Sequence, residues 1–103
     1  MPDPMRIRAT MQGDVVLVRV LMAHEMETGQ RKDAAGNVVP AHYIQSVVAT
    51  HNGRPVLQAE WGPAVSKNPY LQFQFSGGKP GDKIQIAWTD NKGEKRTDEV
   101  EIK

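Results

Sequence analysis

Apolar and polar residues alternate along most of this chain with a period of two. That spacing puts one face of a strand into a core and leaves the other in water. In the first such segment, residues 5–10, Met5, Ile7 and Ala9 share one face, while Arg6, Arg8 and Thr10 share the other. Residues 15–22 are apolar on nearly both faces, broken only by Arg19, as in a strand buried on one side and covered on the other. Residues 43–51 and 54–61 flank Asn52-Gly53, the dipeptide that suits a two-residue type I′ hairpin. In the second of these segments Leu57, Ala59 and Trp61 face in. Leu71, Phe73 and Phe75 alternate with Gln72 and Gln74, and Ile84, Ile86 and Trp88 alternate with Gln85 and Thr89. Asp90-Asn91-Lys92-Gly93 reads as a turn, and residues 96–102 as a last strand with Val100 and Ile102 inward.

Roughly seven short strands with turn signals every ~8–12 residues predict an all-β, immunoglobulin-like antiparallel sandwich. No helix is needed, and the chain reads as one domain over residues 1–103. Leu57, Trp61, Leu71, Phe73, Ile84, Ile86, Trp88 and Val100 form the expected core, with the two tryptophans coming from opposite sheets.

Composition narrows the function. With Cys 0, no disulfide, thiolate or persulfide chemistry is open to the chain itself. Lys+Arg 13 against Asp+Glu 12 gives a formal charge of +1, no electrostatic reason to expect nucleic acid or an anionic membrane. Nothing approaches the ~18 apolar residues of a membrane-crossing helix. Residues 1–10 lack the basic and apolar regions of a secretory signal. No serine sits in a nucleophile-elbow setting and the carboxylates are scattered, so the residues do not suggest an enzyme.

Two segments exceed what a seven-strand sandwich needs: residues 24–44 and residues 61–70. Loops sit on the surface and commonly carry binding residues. His24 and His42 flank the first loop and are able to meet at its base; with Glu27 they form a weak metal or catalytic set. His51 lies ~25 Å along its strand from Tyr43, too far to join. The simpler expectation is that His24 and His42 hydrogen-bond loop backbone. Met26, between two glutamates, is even between touching a partner and packing its own loop. Arg31 and Lys32 are either solvated or steer a partner. Pro63 and Pro69 stiffen the second loop, and a rigid loop loses little entropy on binding.

Residue identities in these loops resemble a known family. H-x-M-E-T-G-x-R-K-D runs from His24 to Asp33, G-x-x-x-P-A-H-x-I from Gly36 to Ile44, and G-P-A-V-S-x-N-P-Y from Gly62 to Tyr70; D-N-K-G-E follows from Asp90. Together they resemble the SoxZ family, the Z subunits of the SoxYZ sulfur carrier of bacterial thiosulfate oxidation. The resemblance implies an immunoglobulin-like fold. It also implies a non-catalytic scaffold that supports a Y subunit whose C-terminal cysteine, on a glycine-rich arm, holds the sulfur. This chain instead ends in an expected strand without cysteine.

It further implies no cofactor, transient contact with other Sox enzymes, and a periplasmic location reached without a signal of its own, by export with the partner. His24, Met26, Glu27, Arg31, Lys32, His42, Tyr43, Pro63, Val65, Asn68 and Tyr70 are the candidate partner-binding residues. Two alternatives stay open: a metal-binding or catalytic domain built on His24, His42 and Glu27, and a β-sandwich that self-associates.

Overall fold

In the computed structural model, which describes residues 3–103, seven strands follow one another: β1 (Arg6–Gln12), β2 (Val15–Leu21), β3 (Ile44–His51), β4 (Arg54–Glu60), β5 (Tyr70–Ser76), β6 (Lys83–Asp90) and β7 (Lys95–Glu101). They pair antiparallel in two sheets, ordered β1-β2-β5 and β4-β3-β6-β7. The alternation is realised as read. Ala9, Val16, Val18, Val20, Val47, Ala49, Ile84, Ile86 and Trp88 interlock between the sheets and are almost fully buried. The β3–β4 turn has Asn52 at φ 49° and Gly53 at φ 86°, the two positive values a type I′ turn requires. A Cβ on Gly78 would collide with Val16 Cγ2 and press on Ile102 and Phe75, so the chain crosses the core's end only where a side chain is absent.

Burial follows strand position. Ile84, Ile86 and Trp88 lie on β6, which has a neighbour on each side, and are sealed. Leu57, Trp61, Leu71, Phe73 and Val100 were expected in the core too, yet they are only partly buried. They belong to, or directly follow, the edge strands β4, β5 and β7, where one flank is open. The tryptophans need a second correction. Trp61 directly follows β4 and Trp88 lies on β6, so both belong to the four-stranded sheet. Nor is the second face of β2 covered by another element: Arg19 and Leu21 are exposed there, Val15 is half-buried, and of the four only Leu17 is buried.

At one end of the sandwich, His51 closes the core against Phe75, with ring centroids 5.0 Å apart, and its Nε2 lies 2.7 Å from Asp82 Oδ2. At the other end the two long loops converge.

Candidate functional site

The loop between β2 and β3 folds back on itself. Glu27 pairs with His42 and Lys32 with Val38 as isolated bridges, and Asp33 Oδ1 accepts from Ala35 and Asn37 N–H to shape the tip. Its exposed arm carries Arg31, whose guanidinium grips the Glu27 carboxylate through Nε and Nη2. That bond holds Glu27 below the usual carboxylate range, against a smaller opposing effect of desolvation.

The second loop is stitched to the first. The His24 N–H donates to Asn68 Oδ1 at 3.1 Å, and the Asn68 N–H to the His24 carbonyl at 2.9 Å. Asn68 adopts φ 51°, a left-handed conformation that asparagine tolerates. The β6–β7 hairpin supplies a third wall. Asn91 N–H donates to the Tyr43 carbonyl, Tyr43 N–H to Asn91 Oδ1, and Asn91 Nδ2 to the Ala41 carbonyl.

At the junction lies a buried triad. Asp90, whose side chain is inaccessible to solvent, meets His24 Nε2 at 3.1 Å and His42 Nε2 at 2.7 Å, both through Oδ2. Its Oδ1 accepts the Lys92 and Glu94 N–H groups at 3.0 and 2.9 Å. A carboxylate has room for about four such bonds, so Asp90 is fully satisfied. Burial alone would raise its pKa; the bonds from His24, His42 and the Glu94 and Lys92 amides outweigh that and hold it below the usual range. The His24 ring stands edge-on to His42 and to Trp88, at centroid distances of 4.5 and 5.1 Å.

The ligand-capable atoms of His24, His42 and Asp90 lie within 4.8 Å of one another, close enough to suggest a metal. The hydrogen bonds argue otherwise. His24 Nδ1 accepts the Met26 N–H at 3.0 Å. A neutral imidazole accepting at one nitrogen carries its proton on the other, so His24 Nε2 is a donor to Asp90 with no lone pair for a cation. The chemistry of this set is therefore two N–H donors on one carboxylate, a clamp that fastens the first loop to the β6–β7 hairpin.

Of the candidate partner-binding residues, Arg31, Lys32, Pro63, Asn68 and Tyr70 are exposed, and Glu27, His42, Tyr43 and Val65 are half-buried. His24 and Met26 are not available: they are 7% and 5% exposed. Met26, left open by the sequence between touching a partner and packing its own loop, is a packing residue. It joins the main core, and its Sδ lies 3.4 Å from the Ile44 N–H as acceptor. The set His24, His42 and Glu27 is likewise not assembled, since the Glu27 carboxylate takes Arg31 and Asp90 stands in its place. Sequence reasoning had put Asp90 in a turn. Its bonds to Lys92 and Glu94 N–H are that turn role; its other oxygen serves partners 66 and 48 residues away. The one signal for it was the D-N-K-G-E segment among the resembling motifs.

The family described as "Sulphur oxidation protein SoxZ" matches residues 5–101, which include both loops and the hairpin that carries Asp90. The chain belongs to the SoxZ family. It is thus a subunit of the Sox system of sulfur and thiosulfate oxidation, in which Z subunits pair with Y subunits as SoxYZ. No individual curated protein matches it. Among solved structures, the chain is similar to the hypothetical protein PH1083 from Pyrococcus horikoshii OT3, at a TM-score of 0.65 and 19% identity, over 99% of this chain and 89% of that one. A likeness at that identity speaks for the SoxZ-family chain's fold and nothing more.

Proposed function

We propose that this chain is the non-catalytic scaffold of a heterodimeric sulfur carrier, supporting a Y-type partner whose C-terminal cysteine holds the sulfur intermediates. The family match over residues 5–101 carries the reading. Chemistry supports it: with Cys 0 the chain has no thiol on which a sulfur adduct can form.

The fold supports it as well. β1 packs beside β7 across the sheets, which leaves β4 and β5 as the edges of the opposite flank. Leu57 and Trp61 on one side and Leu71, Phe73 and Phe75 on the other are half-exposed there. A partner covering that flank would complete their burial at ~25 cal/mol per Å². The loop end, held rigid by the Asp90 clamp, would then present Arg31, Lys32, Pro63 and Asn68 beside it. The same reading puts the chain in the periplasm with its partner.

Intact-mass measurement of both subunits after loading the complex with thiosulfate and the enzymes that conjugate it tests this division of labour. Added sulfur mass on the Y-type chain alone is the expected result. Sulfur on this chain, or thiosulfate turnover by this chain alone, contradicts it.

A further inference from the structure

The outward face of the three-stranded sheet is built in four rows across β1, β2 and β5. They read Arg6–Leu21–Tyr70, Arg8–Arg19–Gln72, Thr10–Leu17–Gln74 and Gln12–Val15–Ser76. No Asp or Glu occupies any of these positions, although the chain as a whole is almost balanced in charge. Arg6, Arg8 and Arg19 are exposed, and none of them is in a salt bridge among the described residues. Arg8 and Arg19 stand directly opposite each other, an arrangement that costs stability in an antiparallel pair. Beside them Leu21 and Tyr70 are 41% and 59% exposed and also stand opposite each other. These five side chains, together with Met5, Ile7 and Val100 at the β1 edge, line a depression of about 640 Å³.

We propose that this face docks a carboxylate-rich surface of a partner protein, in a transient complex held by short-range ion pairs. Guanidinium forks match carboxylates in bidentate geometry. Arginine and tyrosine are the residues that interface cores favour, and the Leu21–Tyr70 row adds an apolar anchor next to the charges. A net charge of +1 gives no long-range pull toward a polyanion, which sets a short-range protein contact ahead of a membrane or a nucleic acid. Size decides the lifetime. Strands ~4.8 Å apart and rows ~6.8 Å apart give a face of about 400 Å², roughly half of what each side of a stable interface buries. This face adjoins the β4–β5 flank along β5 but uses the side of that strand opposite to Leu71, Phe73 and Phe75, and its arginines lie on β1 and β2, so the proposal does not depend on that flank meeting the Y subunit.

The test uses the full chain and a fluorescently labelled ten-residue peptide of alternating Glu and Leu, followed by anisotropy at low salt. The double variant Arg8→Gln/Arg19→Gln is expected to bind about tenfold more weakly, while the charge-matched Lys79→Gln/Lys92→Gln binds like wild type. The arginine variant's melting temperature should hold or rise as the like-charge pair is relieved. Absence of peptide binding by wild type at millimolar concentration overturns the proposal, as does equal weakening by both variants. A fall in the arginine variant's melting temperature, repaired by Arg8→Met/Arg19→Met, would make the arginines mere apolar cover for Leu17. Tighter, arginine-dependent binding to phosphatidylglycerol vesicles or to a ten-base DNA strand would replace the acidic protein with those surfaces.

Discussion

His42 reaches across the loop end to Asp90, with Nε2 2.7 Å from the same Oδ2 that His24 approaches from the core side at 3.1 Å. One buried carboxylate oxygen thus joins the start of the long loop, its end and the β6–β7 hairpin. Replacing it with an amide puts an NH₂ group against two N–H donors. Asp90→Asn is expected to cost about 3 kcal/mol, since breaking a buried polar network leaves uncompensated donors. Urea unfolding measures this. A cost below about 0.5 kcal/mol would mean that the loops hold without the clamp.

The same carboxylate sets an acid limb. Its folded-state pKa is depressed by the imidazole and amide bonds despite burial, so its contribution is present above the unfolded value near ~3.9 and is lost as pH falls through the folded one. Asp82, held down chiefly by His51, adds to the same limb from the other end of the sandwich. Stability measured from pH 7 downward should begin to fall around pH 4–5, and Asp90→Asn should flatten that fall. A variant with the wild-type acid limb would remove Asp90 as a cause.

Met26 packs in the core at 5% exposure. Met26→Ala should therefore lower the stability of the isolated chain by about 2–4 kcal/mol. Partner affinity, measured where the variant is still folded, should change little. Loss of affinity with an unchanged melting temperature would return Met26 to the interface.

Zinc or copper titrated into the chain at neutral pH should give weak, substoichiometric heats, because His24 uses one nitrogen as acceptor and the other as donor to Asp90. A tight one-to-one site abolished by His42→Ala would show that the triad opens to take a cation.

Most strands were legible as short stretches of period-two alternation, β2 as a short apolar run closed by turn residues, and β3–β4 carried its turn in Asn52-Gly53. Sheet membership was not: that Trp61 and Trp88 share a sheet depends on which strands pair, and no local pattern encodes it. Edge positions escaped for the same reason, so Phe73 and Leu71 looked as buried as Ile86. At the candidate site, both loops and both histidines stood out, but not what they bond. Asp90 is chemically an ordinary turn residue in sequence, and its second role arises only when the hairpin comes to rest beneath the β2–β3 loop. Met26 read as superfluous to the core because loops usually are; here φ 51° turns its side chain inward beside Ile44.

The scaffold reading rests on assembly with a Y-type subunit, and native mass spectrometry of the co-expressed pair measures that directly. The account predicts one dominant species at the summed mass of one copy of each chain, stable through dilution to the nanomolar range. This chain recovered alone, or as a homodimer beside a separate Y-type species, would contradict it.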